Sequence, residues 1–122
     1  MTPNAHTRLS AIDAFVTKDG SLIRELMHPA RHACRAQSLA EATVLPGTIT
    51  ALHRHRLTEE LYHIVAGSGM MTLGDAEFAV SAGDTVCIRP GTAHRIRNTG
   101  KDALRILCCC TPAYSHDDTD LL

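Results

Sequence analysis

The fold is decided by the stretch GTITALHRHRLTEELYHIVAG, residues 47–67. Its centre, His53-Arg54-His55, lies in a segment with the pattern of a β-strand. Because side chains two positions apart on a strand share a face, His53 and His55 place two imidazoles side by side and leave Arg54 on the opposite face. The stretch therefore presets two nitrogen ligands for a metal ion.

A carboxylate and a third imidazole complete this pattern. Glu60 begins the next strand and shares a face with Tyr62 and Ile64. If that strand pairs antiparallel with the first, Glu60 reaches the two imidazoles. Farther along, His94 opens another strand within GDTVCIRPGTAHRIRN, residues 83–98. Three imidazoles and one carboxylate suit one divalent Fe, Mn, Ni, Cu or Zn ion and leave coordination positions open for a substrate.

The rest of the chain continues the β-pattern on both sides. Short alternating segments are separated by Gly, Pro and Asp, and no segment keeps a 3.6-residue repeat. We predict strands at residues 21–27, 37–44, 49–55, 60–66, 70–73, 76–80, 85–88, 93–97 and 104–110. Strands spaced by about ten residues are typical of a closed sandwich or barrel. The predicted fold class is all-β, with jelly-roll topology.

The two stretches resemble the two motifs of the cupins, which are small conical β-barrels. The first motif reads G-x5-H-x-H-x(3,4)-E-x6-G, and the second reads G-x5-P-x-G-x2-H-x3-N. Arg89 stands where the family usually has its first proline, although Pro90 follows immediately. The other nine fixed positions agree, namely Gly47, His53, His55, Glu60, Gly67, Gly83, Gly91, His94 and Asn98.

The resemblance implies one cupin double-stranded β-helix, which is a jelly-roll β-barrel. It also implies that the metal ligands are His53, His55, Glu60 and His94. Glu59 is an alternative carboxylate, because the first motif also allows a three-residue spacer. Glu60 is preferred, since it leaves six residues before Gly67 and places Tyr62 on the ligand face.

Composition limits the classes of function. The chain has 122 residues, eight His, no Trp and a net charge of −1. Such a chain cannot displace counterions from a phosphate backbone, so we expect no nucleic-acid partner. It has neither an apolar signal segment nor a run near the ~20 apolar residues of a membrane span, so we expect a cytoplasmic protein without a membrane partner. Its five Cys are expected to be reduced thiols.

The chain length is that of one domain, which we expect to fill residues 1–122. The barrel core is predicted at about 36–111, preceded by an N-terminal arm at 1–35 and followed by a solvated, Asp-containing tail at 112–122. The strand at 21–27 precedes the barrel, and the resemblance implies that such a strand is often exchanged with a neighbouring subunit. We therefore predict a homodimer.

Several residues outside the ligand set have two interpretations. Tyr62 is either a catalytic group that orients the substrate or a core tyrosine. Arg89 is either a contact for an anionic substrate near His94 or a solvated side chain. His63 is expected to face away from the metal, and Cys108–Cys110 are expected to pack as small apolar residues. No cofactor other than the metal is indicated.

Three functions are open for such a site. The first is a mononuclear dioxygenase, an oxidoreductase acting on a small organic substrate, because a redox-capable ion with open positions can bind both substrate and dioxygen. The resemblance supports that class. The second is an isomerase, epimerase or decarboxylase that uses the metal as a Lewis acid. The third is a non-catalytic module that binds a small molecule such as a sugar.

Overall fold

The computed structural model describes residues 4–122, so the first three residues of the arm lie outside the described part of the chain. Single 3₁₀ turns occupy Leu9–Ala11 and His116–Asp118. The strands are β1 Phe15–Val16, β2 Leu22–Met27, β3 Ser38–Val44, β4 His53–His55, β5 Glu59–Ala66, β6 Ser68–Leu73, β7 Ala76–Ser81, β8 Thr85–Ile88, β9 His94–Asn98, β10 Leu104–Thr111 and β11 Thr119–Leu121.

The strands form two antiparallel sheets. One sheet has six strands in the order β1-β2-β3-β10-β5-β8, and the other has five in the order β11-β4-β9-β6-β7. Residues alternate between buried and exposed along β5, β8 and β9, as strands with one covered face must. The predicted all-β jelly roll is therefore confirmed.

The core between the sheets is aliphatic, as the shortage of aromatic residues predicts. Its largest fully buried apolar side chains come from both sheets: Ile64, Met71, Ile88, Ile96, Leu104 and Ile106. Each such side chain contributes roughly 1.5–3 kcal/mol by leaving water. This core packs the two sheets together.

Gly69 lies where β6 and β9 of the five-stranded sheet leave no room for a side chain. It pairs with Asn98 of β9, and a Cβ at this position would lie 2.7 Å from the carbonyl oxygen of Arg97. Real Cβ atoms do not come that near to a backbone oxygen. Glycine is therefore required here by space rather than by a turn.

The predicted strand at 49–55 is shorter in the structure. Only β4, His53–His55, is a strand, while Ile49 makes a single bridge to Arg97. The chain leaves the turn around Gly47, whose φ is 76°, and crosses the end of β9 before it enters β4. Alternation in the sequence does not reveal that crossing.

The segment at 21–27 belongs to the sheet of its own chain. It forms β2, which pairs antiparallel with β3 from Leu22↔Thr43 to Met27↔Leu39. The connection between Met27 and Ser38 is long enough for β2 to return beside β3. Exchange of this strand with a neighbouring subunit stays a prediction.

The prediction of a solvated tail is wrong for the part of the tail that forms β11. β11 pairs with β4 at Thr119↔His55, and Thr119 is buried. The acidic residues that suggested solvation make specific contacts: the Asp118 carboxylate accepts the backbone N–H of Leu57 at 2.9 Å and of Thr58 at 3.1 Å. Among the described residues, no helix has the length and apolarity needed to cross a membrane.

Candidate metal centre

Three imidazoles meet where β4 and β9 pair. His53 is the cross-strand partner of His94, and their ring centroids lie 4.1 Å apart. His55 lies two positions farther along β4, on the same face, and all three residues are buried. One ligand nitrogen from each of them lies within 4.8 Å of the other two, as the alternation argument predicts.

Local backbone geometry orients two of these rings. His53 Nδ1 donates to the carbonyl oxygen of Ala51 at 2.8 Å, and His94 Nδ1 donates to that of Thr92 at 2.9 Å. A neutral imidazole that donates through Nδ1 has its lone pair on Nε2. Both Nε2 atoms are thereby prepared as metal ligands.

The third ring is oriented by the C-terminal segment. The Thr119 hydroxyl donates to the carbonyl oxygen of Ser115 at 2.9 Å, so it must accept from His55 Nδ1–H, which lies 2.9 Å away. His55 Nε2 is therefore the free ligand atom. The sequence carries no signal for Thr119, because the contact depends on how β11 folds back onto β4.

Glu60 reaches the imidazoles from the facing sheet, since β5 pairs with β10 and β8 rather than with β4. The two motif strands therefore do not pair with each other, and Glu60 arrives at the same point without the antiparallel pairing that was considered for it. Its Oε1 lies 3.1 Å from His55 Nε2 and 3.6 Å from His94 Nε2. Glu59 is exposed and takes no part in the cluster.

Charge in the cluster keeps Glu60 ionised. Burial raises the pKa of Glu60, but His55 and His94 in their protonated forms outweigh burial and lower the pKa to about 2; when these rings are neutral, a divalent cation would favour the ionised carboxylate in the same way. Burial lowers the pKa of His53, and the neighbouring charge of His94 acts in the same direction. The cluster therefore favours an ionised Glu60 and a neutral His53, and metal binding requires His55 and His94 to be neutral as well.

The donor set fits a divalent cation. His94 Nε2 is fully buried and has no hydrogen-bond partner in the part of the chain that the structure describes. With Nδ1 as donor, His55 Nε2 and Glu60 Oε1 face each other at 3.1 Å as two acceptors. Unpaired buried acceptors are costly, and a positive ion among them removes that cost. Nitrogen and carboxylate donors suit a divalent transition metal.

A cavity of about 50 Å³ opens onto the cluster and is lined by His53, His55 and Glu60. Tyr62 lines it too, and no described residue makes a hydrogen bond to its hydroxyl. Arg89 is exposed and does not line the cavity, so the structure gives no support to its expected role as a substrate contact. His63 is exposed, as predicted.

The consecutive cysteines divide between the two faces of β10. Cys108 and Cys110 are buried and line the cavity, whereas Cys109 is half-buried on the other face. Burial raises the pKa of Cys110, so its thiol stays protonated and donates to Glu60 Oε2 at 3.3 Å. This contact leaves Glu60 Oε1 for the imidazole side of the cluster.

A second carboxylate, absent from the predicted site, lies beside the cluster. Asp19 belongs to the turn between β1 and β2, and its Oδ2 lies 3.8 Å from His53 Nε2. The turn is fixed by a hydrogen bond from the Ala51 N–H to the Asp19 carbonyl oxygen at 2.8 Å. Sequence reasoning assigned this residue to an arm outside the barrel and gave it no role.

Fold and site together define a small β-barrel with a buried three-histidine centre. The family model for the cupin domain matches residues 40–110, and the chain belongs to the cupin family. The sequence resemblance is thereby confirmed.

The similarity to known proteins covers more of the chain than the two motifs. The uncharacterized protein MJ1618 of Methanocaldococcus jannaschii is 50% identical over 116 residues, which cover 95% of this chain and 93% of that protein. The oxalate-binding protein of Thermotoga maritima is 31% identical over 86 residues, covering 70% of this chain and 67% of its own. The crystal structure of a predicted oxalate decarboxylase from Thermotoga maritima has a TM-score of 0.76 and 25% identity, covering 86% of this chain and 96% of its own.

Proposed function

We propose that this protein is a metal-dependent cupin enzyme that acts on a small organic substrate. The ligands of its single divalent ion, Fe, Mn, Ni, Cu or Zn, are His53, His55, Glu60 and His94. The observation that carries the proposal is the buried, unpartnered Nε2 of His94, which lies 3.6 Å from Glu60 Oε1. A protein that held these residues without a metal ion would leave His94 Nε2 without a partner, at a substantial cost in stability.

The reaction class we propose is that of a mononuclear dioxygenase. The bound metal supplies redox chemistry and a binding position for the substrate. The chain contributes orientation, since backbone carbonyls and Thr119 hold the three rings. Tyr62 contributes a hydroxyl at the cavity wall for the substrate. The small, largely enclosed cavity limits water around the reacting groups.

A redox-neutral decarboxylase, isomerase or epimerase is the second candidate. Similarity to a protein named oxalate-binding and to a structure named as a predicted oxalate decarboxylase favours it. In that case the metal serves as a Lewis acid only, and a redox-inert ion suffices. A non-catalytic module that binds a small molecule such as a sugar is the third.

Metal content is the first test. We expect elemental analysis of protein purified without a metal-affinity tag to find one divalent ion per chain. His55→Ala should lose the ion and all turnover, because it removes one of four protein ligands. His63→Ala is the matched control, since His63 is exposed on β5, and it should keep the ion. A His55→Ala variant with unchanged metal content would contradict the site.

Dependence on dioxygen separates the reaction classes. We expect dioxygen uptake with one of a panel of small diketones, thiols and hydroxy acids. Product formation should stop without dioxygen and should fail with Zn²⁺, which has no redox chemistry. Undiminished anaerobic turnover with Zn²⁺ would instead establish the decarboxylase or isomerase class. Ligand binding without turnover in either condition would favour the binding module.

We propose further that the protein is a cytoplasmic homodimer. The outer face of the six-stranded sheet carries a row of cross-strand neighbours that are apolar or thiol side chains: Met27, Leu39, Cys109, Leu61 and Cys87. Leu61, the fourth residue of this row, is 41% exposed. We expect a second copy of the chain to bury this face in a dimer interface. Light scattering at micromolar concentration should give twice the mass of the chain, and a monomer would refute the proposal.

A further inference from the structure

The cavity beside the candidate metal centre is lined by acidic side chains from three elements and by no Lys or Arg among the described residues. Resting on the proposed function, we propose that it selects a small ligand that carries an ammonium group, bound by Asp19 of the β1–β2 turn, and that it disfavours free dicarboxylates. Asp19 is then the residue that determines specificity. The proposal concerns the part of the cavity formed by the N-terminal arm, outside the matched residues 40–110.

Asp19 presents one free carboxylate oxygen to the cavity. Its Oδ1 accepts the Ser21 N–H at 2.9 Å and the Ser21 hydroxyl at 2.7 Å. These two bonds fix the carboxylate and leave Oδ2 on the side of His53 Nε2, 3.8 Å away. A ligand bound at the metal centre therefore meets Oδ2 as a preoriented acceptor.

Glu25 adds a second acceptor on the same wall. It lies on β2, lines the cavity together with Ser21 and Ile23, and its Oε1 is buried without a hydrogen-bond partner in residues 4–122. Burial raises the pKa of Glu25, and the positive charges of His28 and Arg31 offset only part of that effect; neither of these residues lines the cavity. The unpartnered oxygen still needs a donor.

Basic side chains are kept away from this space. The chain has 12 Lys and Arg, all of them exposed or half-buried and none in the cavity lining. Lys18 adjoins Asp19 in the chain, but its Nζ donates to the carbonyl oxygens of Thr119 at 2.6 Å and His116 at 3.1 Å. No Lys or Arg among the described lining residues is therefore available to pair with a carboxylate of the ligand.

The balance of charge follows from the lining. The carboxylates of Asp19 and Glu60 already balance the charge of a divalent ion, and burial raises the pKa of Glu25, which favours its neutral form. A dicarboxylate adds two negative charges in a space screened poorly by water, whereas a ligand with one carboxylate and one ammonium group adds no net charge. The volume of about 50 Å³ is a few times that needed by one water molecule, so the ligand has only a few heavy atoms.

Three probes test the proposal on the metal-loaded full chain: β-alanine, propionate and oxalate. The first two share a carboxylate for the metal and differ in the ammonium group. Isothermal titration calorimetry should give a dissociation constant for β-alanine about tenfold or more below that for propionate. Asp19→Asn should remove that preference, leave propionate unchanged and tighten oxalate.

Two controls keep this result interpretable. Asn retains the Oδ1 acceptor for Ser21, so Asp19→Asn preserves the turn, and Glu25→Gln should shift the probes in the same direction. Asp75→Asn, at an exposed position, should shift none of them. Metal-loaded protein that binds β-alanine no better than propionate, or a preference that survives Asp19→Asn, overturns this inference alone. Absence of metal from the purified protein overturns the proposed function itself.

Discussion

His55 differs from the other two imidazoles in what orients it. The anchors of His53 and His94 are backbone carbonyls two residues earlier in the chain, so they form wherever these strands form. The anchor of His55 is the hydroxyl of Thr119, 64 residues later. One side chain from the C-terminal segment therefore controls the direction of one metal ligand.

Replacing Thr119 should weaken metal binding without removing a ligand. In Thr119→Val, His55 Nδ1 loses its acceptor and the ring loses its fixed direction, so we expect a tenfold to hundredfold loss of metal affinity. Competition with a chelator of known affinity measures this. Thr85→Val is the matched control, because Thr85 Oγ1 makes the same type of bond to the exposed His63 at 2.8 Å. Equal affinities for the two variants would contradict the anchoring role.

The hydroxyl of Tyr62 should matter for turnover rather than for folding. Burial raises the pKa of Tyr62 well above its usual value, so the group stays a neutral donor at the cavity wall. We expect Tyr62→Phe to lower turnover by about tenfold to a thousandfold while the metal content stays at one ion. Steady-state kinetics and elemental analysis measure the two effects. Normal kinetics with slightly altered stability would assign Tyr62 to the core.

The ligand types were predictable from the sequence because a two-residue period dictates which side chains share a face. That rule places His53 beside His55 and separates Glu60 from Glu59. It says nothing of Thr119 or Asp19, since their contacts depend on how distant segments close over the barrel. Short alternation is a local property, and these contacts are not local.

Strands with at least four alternating residues were predicted within a few positions of their ends. β1 and β11 were missed because two or three residues cannot display a period. The sequence also does not reveal that the two motif strands lie in different sheets. Neighbouring segments of a jelly roll cross between sheets, and the four-residue loop between His55 and Glu60 gives no sign of that crossing.

The contact between β6 and β9 should not tolerate a methyl group at Gly69. In Gly69→Ala, the new Cβ would lie 2.7 Å from the Arg97 carbonyl oxygen and 3.0 Å from Leu104 Cδ2. We expect the free energy of unfolding to fall by about 1–3 kcal/mol. Urea denaturation measures this loss, and Ser68→Ala in the same strand is the control because it adds no atom. Equal urea midpoints for Gly69→Ala and Ser68→Ala would contradict the requirement for glycine at this position.

Acid should release the metal through the imidazoles. They must be neutral to bind, so we expect most of the ion to be lost near pH 5 to 6. Glu60, with a pKa of about 2, stays ionised there and does not cause the release. Because the pKa of His53 is lowered by burial, the unfolded chain binds more protons than the fold, and stability falls as pH drops below the usual imidazole range.

Metal content after gel filtration at a series of pH values measures this release. A Glu60→Gln variant tests the assignment, because it removes the carboxylate charge and leaves the imidazoles in place. We expect weaker binding in this variant at every pH, with the release still set by the imidazoles. Full occupancy of the natural protein well below pH 5 would contradict the expected release.

The anchor of His55 on β11 has a consequence for how the protein matures. A ribosome delivers the chain from its N-terminus, so the ten other strands of the described residues are made before Thr119. At the proposed metal site, an ion that arrives earlier would meet an imidazole that still rotates and would be held less tightly. Loading of a lasting ion would then follow synthesis of β11, and the supply of free metals at that moment would decide which ion is kept.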